Sequence, residues 1–251
     1  MSQIVVDIGN TRIKWARVDG RRPGATHAAT HARWTAKDFA RRLFVAGVER
    51  ALVASVAGAD VNRALSGGAR RAAVSLTFVT VPTRAAGVTV GYAEPWRLGV
   101  DRFAAMVGAH HLFRGVPLCV AGVGTALTVD LLGARGRHWG GAIIPAPALM
   151  VSTLLEQTAG IKRRARGGGT RGGAGLFGRS TRDAIVQGAR YAAAATIDRA
   201  VDEAERLLRA RPLVVLTGGE APLVRPLLHS HCVGVADLTL RGLAVLSSST
   251  A

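Results

Sequence analysis

The 251 residues carry 33 basic and 16 acidic side chains, a formal charge of +17, and 49% of them are hydrophobic. A chain of this length holds one large domain or two modest ones, each with a real core. Two cysteines, Cys119 and Cys232, stand far apart and outside any metal-ligand spacing, which argues against a disulfide scaffold. The most apolar stretch, 140–155, is interrupted by Pro145 and Pro147, so no membrane span is expected. The N-terminus reaches an acidic strand end at Asp7, unlike a signal peptide, and a cytoplasmic protein with reduced thiols is the expectation.

Of the basic residues only Lys14, Lys37 and Lys162 are lysines; the rest are arginines spread along the chain. Such a balance could mark a nucleic-acid partner. The arginines fall mostly at polar helix positions, however, and the aromatics that a single-strand binder interleaves with them are scarce. The sequence therefore points to anionic small molecules, and against nucleic acid.

The first stretch, 4–20, reads as a β-hairpin: an apolar run ending at Asp7, a Gly9-Asn10-Thr11 turn, and an alternating run to Asp19-Gly20. A strand is expected within 21–31. Thr35-x-x-Asp38 is a capping box opening a helix to about Val48. A strand at 51–56, a helix at 60–72 interrupted by Gly67-Gly68, and a strand at 76–81 follow. Residues 82–98 read as a loop and 103–113 as a helix opened by Gly99-Val100-Asp101-Arg102. Gly115-Val116-Pro117 is the expected domain boundary, dividing the chain into 1–115 and 116–251. Beyond it come strands at 118–123, 127–132 and 138–144 and a helix at 146–157, echoing the start of the chain. The Arg/Gly-rich stretch 160–179 reads as a mobile loop, with an Arg-Gly type RNA-binding tract as the alternative. Ser180-x-x-Asp183 opens a long helix to about Ala210. A strand at 212–216, a helix at 221–228, a short strand and a helix at 237–246 close the chain. The order of elements predicts an α/β fold with mixed sheets.

Four places carry candidate chemistry. At the hairpin, Gly9 lets the backbone approach a ligand, Asn10 and Thr11 add donors, Lys14 adds positive charge, and Asp7 could hold hydrated magnesium. An ordinary turn would use the same residue types. Gly124-Thr125-Ala126 forms a second Gly/Thr turn, with a plain hairpin as its alternative. Asp101-Arg102, at a helix start, can orient a substrate hydroxyl and bind a carboxylate or amide oxygen, or simply complement the helix dipole. Ser180 is expected to cap its helix, leaving the Thr181 hydroxyl for a ligand, with both hydroxyls merely capping as the alternative. Thr217-Gly218-Gly219, a common tripeptide on its own, ends a strand, and its two glycines let a ligand approach the backbone closely. His110-His111 has no third metal ligand nearby in sequence.

Asp7-x-Gly9-Asn10-Thr11-x-x-Lys14 resembles the first phosphate motif of the type III pantothenate kinases, within the actin-like, Hsp70-like and sugar-kinase-like ATPase superfamily. Gly124-Thr125, Gly99-x-Asp101-Arg102, Thr181 and Thr217-Gly218-Gly219 resemble its further motifs in the expected order. The resemblance implies two actin-like (ribonuclease H-like) domains facing a central cleft, and ATP-dependent phosphorylation of pantothenate to 4'-phosphopantothenate, the first step of coenzyme A synthesis. It implies an ATP site at Asp7, Ile8, Gly9, Asn10, Thr11, Arg12, Ile13, Lys14, Gly124, Thr125, Thr217, Gly218 and Gly219. Asp101 becomes the base, while Tyr92, Gly99, Val100, Asp101, Arg102 and Thr181 bind pantothenate. It also implies magnesium held by Asp7 through water, a homodimer, and a monovalent cation, potassium or ammonium. The Asp that commonly binds that cation is Gly122 here. Two rival functions are another small-alcohol kinase of the superfamily and a nucleic-acid-binding or transcription-accessory protein that kept the fold.

Overall fold

The computed structural model describes residues 2–166 and 175–248. In chain order the elements are β1 (Gln3–Ile8), β2 (Arg12–Asp19), β3 (Arg22–Pro23), β4 (His27–Thr30), α1 (Ala36–Arg42), β5 (Arg50–Ser55), α2 (Ala59–Arg71), β6 (Ser75–Phe78), β7 (Arg84–Ala85), β8 (Val88–Thr89) and α3 (Val100–Leu112). They continue as β9 (Leu118–Val123), β10 (Ala126–Leu132), β11 (His138–Pro145), α4 (Pro147–Gln157), α5 (Ala159–Ala165), α6 (Thr181–Leu208), β12 (Leu213–Thr217), α7 (Ala221–Val224), β13 (Cys232–Gly234) and α8 (Leu238–Ser247).

Two compact units result. The first gathers Met1–Gly115, Ala134–His138 and Asp237–Ala251; the second gathers Val116–Gly133 and Trp139–Ala236. This differs from the expected division into 1–115 and 116–251, because the chain returns to the first unit twice. At the later return, α8 buries Leu238, Leu240, Leu243 and Ala244 and packs on α3. The helices touch backbone to backbone: a Cβ on Gly242 would lie 1.7 Å from the Ala104 carbonyl oxygen, and one on Gly108 would lie 2.6 Å from that of Leu238. Apolar burial and close approach draw the helix away from its sequence neighbours.

In the first unit the sheet order is β3-β2-β1-β5-β6, with β4 also on β2. β1 is antiparallel to β2 and parallel to β5. Every second β1 residue, Ile4, Val6 and Ile8, joins a core with Phe39, Leu43, Val53 and Leu65. The capping box at Thr35 and Asp38 forms as expected, but α1 ends at Arg42. Leu43, Phe44 and Val48 still reach the core, from a turn containing Gly47 at φ 86°. Apolar spacing alone made that segment look helical. α2 runs straight through Gly67-Gly68, because a Cβ on Gly68 would lie 2.7 Å from that of Phe39 where the helix packs on α1. The expected loop 82–98 contains the small β7–β8 hairpin.

The second unit repeats the scheme, with sheet order β11-β10-β9-β12-β13. β9 is antiparallel to β10 and parallel to β12. Ala121, Val123, Leu127, Ile197, Val201, Val214 and Leu216 form its core. Ser180 caps α6 by accepting from the Asp183 amide at 3.1 Å. The expected loop 160–179 is corrected at its start, where α5 runs to Ala165. The glycine-rich part, 167–174, lies outside the described residues. No helix among the described residues is long and apolar enough to cross a membrane.

Candidate active site

In the first unit, the β1–β2 ladder sets Asp7 directly opposite Lys14. The turn between them exposes Asn10, Thr11 and Arg12, while Ile8 and Ile13 are fully buried in the core. Those two isoleucines can offer a nucleotide only their backbone. The Gly9 amide donates to the Arg12 carbonyl at 2.9 Å and closes the turn. The Gly9 carbonyl is held by His31 Nε2 at 2.8 Å. His31 is 3% exposed, and its support of the turn left no local sequence signal.

Asp7 is half-buried, and its carboxyl is pushed up to about 7, first by burial and then by the nearby charge of Asp101. Asp237 raises it further, and Lys14 opposes the rise. Three carboxylates thus share one neighbourhood with a single ammonium, and that ammonium ion-pairs with Asp237 at 2.7 Å. Such a set is under-neutralised at neutral pH and suits a divalent cation. Among the described residues no three acidic, His or Cys side chains are grouped closely enough to chelate a metal by themselves. Magnesium keeps most of its waters and takes one or two carboxylates together with substrate phosphates, and the Asp7 carboxylate is compatible with such a site.

Asp101 lies in the first turn of α3, after Gly99 at the N-cap and Val100. A Cβ at Gly99 would meet Asp101 Oδ1 at 2.6 Å, so any side chain there would displace the carboxylate. Arg102 is 6% exposed; its Nη1 donates to the Tyr92 hydroxyl at 3.2 Å, and its guanidinium lies 5.8 Å from the Tyr92 ring centre. His138 stacks on Tyr92 with ring centres 5.6 Å apart, and its Nδ1 accepts from the Gly91 amide. Nothing local in the sequence marks His138, which arrives on the Ala134–His138 excursion.

In the second unit, the ends of β9 and β12 lie side by side, with Thr217 paired to Gly122. This brings Gly124-Thr125 and Thr217-Gly218-Gly219 together. Gly124 donates to Ala126 O at 3.0 Å, and Thr125 stands exposed at the turn. Gly218 has φ 104°, and a Cβ on it would lie 2.2 Å from the Val123 carbonyl oxygen. Its glycine is thus already required by strand-end packing. Glu220 accepts from the Ala148 amide at 3.1 Å and so caps α4 from outside. Thr181 opens α6 and lines a pocket of about 430 Å³ with Met150, Leu154 and Ile185. Its hydroxyl is not the cap, since Ser180 fills that place.

Solved structures with this fold include the activator of 2-hydroxyisocaproyl-CoA dehydratase from Clostridium difficile with bound ADPNP, at TM-score 0.55 and 13% identity over 99% of this chain and 94% of that one. The inorganic polyphosphate/ATP-glucomannokinase from Arthrobacter is similar at TM-score 0.50 and 14% identity over 100% and 99%. The fold is therefore the actin-like one of ATPases and sugar kinases. Residues 3–203 match the family model of type III pantothenate kinase. The chain is 35% identical to the type III pantothenate kinase of Nitrosococcus oceani, covering 98% of this chain and 94% of that protein. The chain belongs to the type III pantothenate kinases.

Proposed function

We infer that the protein transfers the γ-phosphoryl group of ATP to the primary hydroxyl of pantothenate, giving 4'-phosphopantothenate and ADP in the first step of coenzyme A synthesis. The observation that carries this reading is the convergence of Asp7, Lys14 and Asp101 within one unit of a chain matched to this family along its length. In the reaction the pantothenate oxygen forms a bond to the γ-phosphorus while the bond to the β–γ bridging oxygen breaks. The hydroxyl proton passes to Asp101, which mainly orients the alcohol because the transition state is loose. Arg102 and Tyr92 bind pantothenate's polar groups, and Thr181 adds a hydroxyl. Asn10, Thr11, Lys14 and Thr125 neutralise phosphate oxygens, and Thr217-Gly218-Gly219 borders the adenosine. Asp7 would hold magnesium through water; the ion supplies charge neutralisation on the phosphates.

Two finer points belong to this reading. A monovalent cation at the second hairpin would have to rely on oxygens such as that of Thr128, because Gly122 offers no carboxylate. The working form is a cytoplasmic homodimer. Ile143, Leu154 and Phe177 are exposed apolar side chains of the second unit that a second copy would cover, and both cysteines are free thiols. Light scattering then gives twice the chain mass. The test of function is ADP release from MgATP across a panel of alcohols. Pantothenate alone should stimulate turnover; stimulation by a sugar instead would move the chain to the small-alcohol kinase reading.

A further inference from the structure

Asp237 belongs to none of the phosphate or substrate motifs, and the helix it opens does not explain its shape. An Asp at a helix N-cap ordinarily has extended backbone and accepts a hydrogen bond from an amide in the first turn. Asp237 does neither: it sits in the left-handed region at φ 52°, ψ 40°, and its side chain makes no capping bond. Its Oδ1 instead accepts from Lys14 Nζ at 2.7 Å, across 223 positions of sequence. Lys14 stands opposite Asp7 at the hairpin. The cation best placed to meet a polyphosphate is therefore already held by a carboxylate delivered from α8. That helix is anchored on α3 by the contact of Gly242 with Ala104, so the carboxylate is presented from a fixed support.

We propose that Asp237 is an internal competitor for Lys14, a counter-ion that the phosphates of an incoming nucleotide must displace. The inference rests on the kinase reading of the hairpin. Lys14 and Asp237 side chains are 29% and 22% exposed, a setting in which an ion pair has only a small net stability and can be exchanged. Because the pair must break for Lys14 to reach phosphate, its net stability is subtracted from nucleotide affinity. The carboxylate also repels the polyphosphate. Both effects have the same sign: the pair holds nucleotide affinity down and favours release of ADP.

The test uses the full-length protein and MgADP as the probe. Asp237→Asn removes the charge while keeping a residue that tolerates left-handed backbone, and Asp237→Gly does the same with no side chain. Both variants should bind MgADP about fivefold more tightly than the wild type by calorimetry. The gain should vanish when each is combined with Lys14→Met. With only three lysines in the chain, lysine-selective NMR resolves Lys14 directly. Its side-chain signal should move on MgADP addition in the wild type, and should start from an unpaired position in Asp237→Asn. A wild type that binds MgADP with an unmoved Lys14 signal overturns the proposal alone, as do unchanged or weaker affinities in both variants. A wild type that binds no MgADP removes the kinase reading and the proposal with it.

Discussion

The turn after β1 and the turn after β9 are built alike. Each joins an antiparallel pair, and each first strand has a parallel neighbour on its other side. Each turn is closed by its glycine amide, Gly9 to Arg12 O and Gly124 to Ala126 O. The difference lies in charge. Two residues before the glycine stands Asp7 in one and Gly122 in the other; across the ladder stands Lys14 in one and Thr128 in the other. Asp101 and Asp237 add their charges to the first. A shared backbone frame thus carries charged side chains in the first unit and a glycine and a hydroxyl in the second, a difference that the proposed function reads as two tasks.

The sharpest way to break this comparison is Asp101→Asn. It should lower kcat by about 10²- to 10⁴-fold while calorimetric MgATP affinity stays within a few-fold of wild type. Next in size is Gly218→Ala, which leaves every charge in place. Its methyl would overlap Val123 O and force a side chain into φ 104°, so a thermal melt should show a loss of about 2–4 kcal/mol.

The acidity of Asp7 gives a third test. Its folded value of about 7 exceeds the ordinary 3.8, so the folded chain holds this proton more tightly than the unfolded chain does. The group's contribution to stability is complete below the unfolded value and is lost as pH rises to about 7. Asp7→Asn should therefore gain melting temperature over wild type at about pH 8 and lose that advantage at about pH 4. In the wild type, MgATP affinity should rise with pH and level off above about 7, because the metal needs the carboxylate. The smallest effect expected is that of Tyr92→Phe, which removes the hydroxyl bonded to Arg102 and should raise the KM for pantothenate about threefold to tenfold with little change in kcat.

Much of the frame was legible because local chemistry determines it. The capping residues Thr35 and Ser180, the Gly-containing hairpin turns and the strand runs all act within a few residues of themselves. The motifs also pointed to Asp7, Lys14 and Asp101, which the fold gathers in one unit. What the sequence hid depends on distant returns of the chain. Neither the packing of α8 on α3 nor the arrival of Asp237 beside Lys14 leaves a local pattern. His138 behind Tyr92 and His31 beneath Gly9 are hidden for the same reason. Gly67-Gly68 looked like a helix break but serves a helix crossing, because the contact it permits lies on another helix.

The division of labour between the hairpins is tested most directly by measuring kcat for Asp7→Asn and Thr125→Ala side by side at saturating MgATP and pantothenate. In Asp7→Asn, kcat should fall at least about 100-fold. Thr125→Ala should keep kcat within about threefold of wild type and show its loss in the KM for ATP. Equal falls in kcat would contradict that division, placing the reactive charge in neither hairpin alone.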